Sequence, residues 1–245
     1  MIIYNKTKKK TNFPNYMKIK LHEDLKNEIK GISIGYIFFQ NVEVQKKHTP
    51  LLEKYIKQVR NYTISSYTLR SLKNEAIFRK FRDFYWHYLN IDPTKTRPSS
   101  EALVRRLLAK KQIPHISNIV DLNNWISIDT FIPLGAYDIS DINFPLLLRF
   151  AKAGELFSPI GGDDQQSTGK EIVLVDAKNL VMHEFPHRDS DKTKITKDTK
   201  DMLIIACGVP GIEFKLLKAA LKKFRDTLVK IQSQTLSYSE IRILK

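Results

Sequence analysis

The sequence predicts an α+β protein: a β-sandwich-like core of mixed or antiparallel strands, covered by helices. Two observations predict it. Apolar residues recur every three to four positions through much of the first half, whereas after Pro133 they gather into short β-rich runs parted by turn formers. No repeat or low-complexity linker divides the chain. Residues 17–231 therefore read as one domain, with a flexible basic arm at 1–16 and a tail at 232–245.

The elements follow in order. Residues 32–44 are dense in β-branched and aromatic side chains (Ile32, Ile34, Tyr36, Phe38, Val42) and predict a strand. Thr49-Pro50 supplies an N-cap with proline at the first helical position, opening a helix to about Val59. Leu69, Leu72, Ala76, Phe81, Phe84 and Tyr88 keep helical spacing over 69–89. Ser99 and Ser117 are expected to cap two more helices, the first facing Leu103 and Leu107 inward, the second carrying Ile119 and Ile126. Strands are expected at 134–137, 146–150, 172–175, 180–185 and 202–206, and a closing helix at 213–231.

Charge narrows the function. The chain carries 41 Lys and Arg against 26 Asp and Glu, a net charge of +15, which suits a polyanionic partner. The excess is local: between Lys54 and Lys111 there are 14 basic and 4 acidic residues, but between Ile113 and Phe185 only 4 basic and 10 acidic. The early helices thus carry the basic face, a pattern suited to a phosphate backbone. Cys207 is the single cysteine, so neither an internal disulfide nor a multi-thiolate metal site forms, as expected of a cytoplasmic protein. No run approaches the ~20 apolar residues of a membrane span, and the apolar start Met1-Ile2-Ile3-Tyr4 is too short for a signal peptide.

Two motifs are set aside. His183-Glu184-Phe185-Pro186-His187 matches the zincin pattern, which needs both histidines one turn apart on a helix. Pro186 breaks such a helix, and the flanks read as strands. On a strand, residues four apart stand ~13 Å apart, too far to share one zinc. Gly162 to Lys170 has six residues between its glycines, and Glu171 where a P-loop needs a hydroxyl. Neither a metal nor a cofactor is expected.

Several linked segments carry a resemblance. Ser117-Asn118-Ile119-Val120-Asp121-Leu122-Asn123-Asn124-Trp125 is followed by Ile132-Pro133-Leu134-Gly135-Ala136-Tyr137-Asp138. Arg149-Phe150-Ala151-Lys152-Ala153-Gly154-Glu155 and Ile172-Val173-Leu174-Val175-Asp176 come later, with Arg97-Pro98-Ser99-Ser100-Glu101 upstream and Arg188-Asp189-Ser190 and Thr193 downstream. In this order they resemble the B3/B4 domain, the tRNA-binding and editing domain of the phenylalanyl-tRNA synthetase β subunit. The likeness to stand-alone proteins built from that domain is closer still, and it covers about residues 17–225.

The resemblance implies a pocket that receives the aminoacylated 3′ end of a tRNA and, in the synthetase, hydrolyses mischarged tyrosine. The basic cluster offers Arg70, Lys73, Arg79, Lys80 and Arg82 as candidates for phosphates, and RNA-binding roles are expected above all for Arg97, Arg105, Arg106, Lys110 and Lys111. Substrate-binding roles fall to Asn118, Asn123, Asn124, Arg188, Asp189 and Thr193; no catalytic residue is assigned, and no aminoacylation is expected. Two positions depart from the synthetase: Gly135 stands where a histidine is usual, and Ile205 where the tyrosine-discriminating glutamate is expected. Tyrosine specificity is therefore not carried over. The polar residues also have structural readings: Asn118 and Asp121 in a first helical turn, Asp138 and Asp176 before turns, and Arg149 with Glu155 as an ion pair. Three functions stand open: a tRNA-binding protein that hydrolyses mischarged tRNA in trans, a non-catalytic RNA-binding module, and a small-molecule-binding protein that kept the pocket without RNA binding.

Overall fold

The computed structural model describes residues 9–232 and 235–245. Its helices are α1 (Glu23–Glu28), α2 (Pro50–Ser66), α3 (Ala76–His87), α4 (Ser99–Leu108), α5 (Asn118–Thr130) and α6 (Phe214–Ile231). The longer strands are β3 (Ser33–Gln40), β4 (Leu134–Asp138), β5 (Leu146–Phe150), β8 (Ile172–Val175), β9 (Val181–Glu184) and β11 (Met202–Gly208). Shorter ones are β1 (Lys9–Lys10), β2 (Ile19–Leu21), β6 (Leu156–Phe157), β7 (Gln165–Gln166), β10 (Arg188–Asp189), β12 (Ser237–Tyr238) and β13 (Arg242–Leu244). The α+β expectation holds.

The strands form two main sheets. The first runs β1-β12-β3-β11-β4, with β13 also pairing β3; the second runs β10-β9-β8-β5-β2. Their central ladders are antiparallel, but β2 runs parallel to β5 and β1 parallel to β12. Period-two alternation places the first sheet between two layers. On β3, Phe38 packs on Phe144 and Phe13, toward the second sheet, while its neighbour Phe39 meets Phe224 of α6. Gly35 lies on the α6 side, where an added Cβ would come within 2.9 Å of Leu221 and 2.7 Å of Ile243. The helix approaches the sheet there because that side chain is missing.

A second apolar cluster joins α2, α3, α4 and α5 through Val59, Phe78, Val104, Leu107, Trp125 and Phe131. This is the scaffold of the basic half. Thr49 caps α2 as expected, accepting from the Leu52 amide, and Ser117 caps α5 through the Val120 amide. Four boundaries differ from expectation. The first expected strand, β3, ends at Gln40 rather than running to residue 44. Helix α2 continues to Ser66. The 69–89 helix is instead a 3₁₀ turn at Ser71–Asn74 and then α3, interrupted by the extended backbone of Glu75 (φ −66°, ψ 121°). Ser99 is the first residue of α4 rather than its cap, which is Pro98. Residues 1–8 of the expected arm lie outside the described residues; Lys9–Lys10, Ser237–Tyr238 and Arg242–Leu244 add strands to the first sheet.

The ion pair expected between Arg149 and Glu155 is present and two-pronged, at 2.9 and 2.6 Å, with side chains only 8% and 9% exposed. The Phe150 carbonyl and Asn179 take further Arg149 protons, and the Lys152 amide donates to Glu155. So complete a set of partners is what a buried charge pair requires. Arg149→Met removes one partner and strands the carboxylate, which should cost about 3–5 kcal/mol. Urea unfolding of the two proteins measures this; a loss well under 1 kcal/mol would mean that the carboxylate finds water.

Candidate functional site

The space between the two sheets is occupied by a chain of polar side chains. Tyr137 of β4 donates its hydroxyl proton to Asp189 at 2.5 Å, and His183 Nδ1 lies 2.9 Å from the same carboxylate oxygen. His183 Nε2 faces the Cys207 thiol at 3.6 Å. The register makes this meeting possible. Leu174 pairs with His183 but Val175 with Val181, so Met182 is an extra residue in β9, and both Met182 and His183 are buried. Tyr137 lies across Gly135, where an added Cβ would fall 2.1 Å from the phenol oxygen. A side chain at residue 135 is therefore excluded by the Tyr137 ring.

The trio Cys207–His183–Asp189 has the order of a nucleophile, a base and an orienting carboxylate. Its surroundings argue against catalysis. Cys207 is fully buried, and burial, followed by the nearby Asp189, pushes its thiol well above the usual range. The same two causes raise the Tyr137 phenol. A nucleophilic cysteine needs the opposite, an accessible site that favours the thiolate. The chain is therefore a structural network of hydrogen bonds.

The substrate residues expected from the resemblance do not gather into one open hollow. Asp189 lies in the buried network. Asn118 instead clamps the 43–45 segment: it accepts from the Gln45 amide, donates to the Glu43 carbonyl, and its own amide donates to Gln45. Asn123 is buried on α5 and donates to the Leu134 carbonyl at the start of β4, while its Oδ1 lacks a protein partner. Asn124 is half-buried and turned about 100° further around the helix. Thr193 is buried with its hydroxyl unpaired, and Arg188 is exposed on β10. Ile205 is completely buried. Tyr137 and His183 are buried as well.

The expected RNA-binding residues do converge. Arg97, Arg105, Arg106 and Lys111 line one groove of about 460 Å³, joined by Lys95 and His187; Lys110 is exposed just past α4, with φ of 57°. A buried carboxylate organises this wall. Glu101, 0% exposed, takes a two-pronged hydrogen bond from Arg82 and a 2.6 Å bond from Arg105 Nε. Two guanidiniums on one carboxylate leave one positive charge in excess. Arg106 Nε donates to the Gln112 carbonyl, pinning its stem beside the groove. His187 Nδ1 lies 3.0 Å from the Arg97 carbonyl, so that nitrogen carries the proton and Nε2 is left as an acceptor. Burial, with Arg188 adding to it, lowers the His187 pKa below 6.5 despite that hydrogen bond. The zincin-like motif is thus divided between two settings: His183 in the buried network, His187 at the basic groove.

The family model of the B3/4 domain matches residues 80–230, more than half of the chain. The chain belongs to the B3/4 domain family. The phenylalanine–tRNA ligase beta subunit of Carboxydothermus hydrogenoformans is 31% identical over 117 residues, which are 47% of this chain and 14% of that subunit. That of Chromobacterium violaceum is 33% identical over 82 residues, 33% of this chain and 10% of the relative. The matched region is thus a small part of those relatives. An N-terminal fragment of the Pyrococcus horikoshii phenylalanyl-tRNA synthetase beta subunit shares the fold, with a TM-score of 0.50 at 14% identity, covering 98% of this chain and 56% of the fragment.

Two outcomes follow for this B3/4 protein. Cys207 in the native protein should resist a thiol reagent such as iodoacetamide and react at the rate of a free thiol only after unfolding; rapid native alkylation would show that the sheets part readily. His187 has a lowered folded-state pKa, so its contribution to stability is present above pH 6.5 and is lost as pH falls through the folded value. His187→Gln should therefore lose less stability than the parent on acidification from pH 7 to 5. Melting curves at stepped pH decide it, and parallel losses would contradict the assignment.

Proposed function

We propose that this B3/4 protein binds tRNA through the basic groove beside α4, with backbone phosphates on Arg97, Arg105, Arg106 and Lys111. The convergence of these four side chains on one groove carries the reading. Glu101 supports it, since a wall of guanidiniums held from beneath by a buried carboxylate is ordered before the ligand arrives. Guanidinium forks suit phosphate oxygens, and each contact releases condensed counterions. The charge of +15 adds long-range attraction.

Hydrolysis of mischarged tRNA is the second reading, and one observation favours it. His187 is held neutral at the groove with Nε2 available, which is the state of a general base that deprotonates water. In this reading the ester carbonyl lies over the groove, His187 takes a proton from the attacking water, and neighbouring guanidiniums stabilise the oxyanion; its collapse breaks the ester C–O bond, and protonated His187 returns the proton to the departing ribose oxygen of the tRNA, freeing the amino acid. Asn123 and Asp189 then serve the fold and do not touch the substrate.

Filter binding of tRNA across a salt series tests both readings. Affinity should fall steeply with salt, and Arg106→Ala should weaken binding and reduce the slope magnitude by about 1. Binding that ignores salt, or is unchanged in Arg97→Ala and Arg106→Ala together, would sink the RNA reading. A panel of mischarged tRNAs separates binder from enzyme: turnover that is lost in His187→Ala while affinity persists supports hydrolysis, and absence of turnover leaves binding alone.

A further inference from the structure

Away from the basic groove's lining, α5 and the segment before α2 bring together His48, His115 and Asp121. His48 Nε2 lies 2.7 Å from Asp121 Oδ2, and His115 Nδ1 lies 2.5 Å from the same oxygen. One ligand atom from each residue lies within 4.8 Å of the others. We propose that these three side chains form a binding site for a divalent transition metal of the zinc class. The inference does not rest on the RNA reading.

The donor chemistry fits. Two imidazoles and one carboxylate are the three protein ligands of an open zinc site, with Zn–N and Zn–O near 2.0–2.2 Å. Tetrahedral geometry at those lengths puts ligand atoms roughly 3.3 Å apart. Reaching it asks the carboxylate oxygen to draw back slightly from the imidazoles and the two nitrogens to close up. The rings are already adjacent, with centroids 4.4 Å apart. An imidazole can bind an ion through either ring nitrogen, the other carrying the proton.

The support around the ligands is fixed. Asp121 is 2% exposed, and its other oxygen, Oδ1, accepts from the Ile116 amide at 3.0 Å, which aims Oδ2 at the histidines. The loop carrying His48 is stitched to α5 by the three Asn118 hydrogen bonds to Glu43 and Gln45, and Thr49 caps α2 immediately after it. This is the outer-shell support that metal ligands commonly have. The ligands also open on a cavity of about 310 Å³, whose walls include Glu53, Lys57, Arg60 and Trp125. A fourth position facing that cavity is where water or an anionic ligand would enter, with Lys57 and Arg60 nearby. His115 has a side chain 43% exposed, so the ion has a path in.

Isothermal titration of the chelator-treated full chain with zinc chloride tests the proposal, with cobalt(II) absorption as a report of coordination. One saturable zinc per chain is expected, along with a visible cobalt spectrum. Both His48→Ala and His115→Ala should weaken zinc binding by at least about 100-fold. Asp121→Asn risks the helix start, so the exposed His115 carries the comparison if a buried variant fails to fold. Zinc should also raise the melting temperature of the parent but not of His115→Ala. Absence of zinc binding, or equal binding by the parent and folded His115→Ala, would overturn the site and leave the three residues as a hydrogen-bonded clamp.

Discussion

The Asp189 carboxylate determines what the space between the sheets can be. It accepts from the Tyr137 hydroxyl on one sheet and meets His183 of the other, so a polar group ties two otherwise apolar faces. The carboxylate is itself 28% exposed, while the Tyr137 and His183 side chains that it holds are buried. Once Tyr137 reaches Asp189, its ring must cross Gly135, and a side chain at that position is excluded. The same arrangement sets the buried Cys207 thiol against His183. One interaction therefore accounts for the glycine and for the partner of the buried thiol.

The helical half has a carboxylate of its own at the centre of its charges. There the organising group is Glu101, whose carboxylate gathers Arg82 of α3 and Arg105 of α4, two cations that would otherwise repel each other. Its burial makes the pairing obligatory, and one positive charge remains to face the groove. Arg106 is pinned separately, through the Gln112 carbonyl. A basic surface built in this way differs from a scatter of lysines: its charges are held at defined places, so less side-chain entropy is lost when a polyanion settles on it.

The fold was legible where a segment's pattern is its own. Helices α2, α5 and α6 and the six longer strands follow from periodicity and caps, because burial of one face imposes it. The two- and three-residue strands were not legible. Lys9–Lys10, Arg188–Asp189 and Ser237–Tyr238 are strands only because a partner lies alongside, and no local propensity announces that. The site divides in the same way. The basic groove was readable as a charge imbalance between two stretches of chain. The role of Asn118 was not, since its partners Glu43 and Gln45 lie more than seventy positions away. His48 was invisible as a metal ligand for the same reason: its spacing to His115 and Asp121 matches no compact motif. A signal existed only in the Thr49-Pro50 cap that follows it, which fixes where that loop must end.

The two sites of interest share one stretch of chain, which His48 joins at one site and His187 at the other. Helix α4 supplies the basic groove, the segment after it supplies Gln112 and His115, and α5 supplies Asp121. Arg106 bonds the Gln112 carbonyl, so the groove wall and the edge of the histidine cavity share a hydrogen bond. A ligand that pulls Arg106 toward a phosphate would load the same segment that carries His115, and an ion fixing His115 would stiffen the wall on which Arg106 sits. Coupling of this kind needs no large rearrangement, because both ends of the segment are already anchored, by Glu101 on one side and by Ser117 and Asn118 on the other. The physical consequence is reciprocal: whatever either ligand gains from a stiffened segment, the other gains equally.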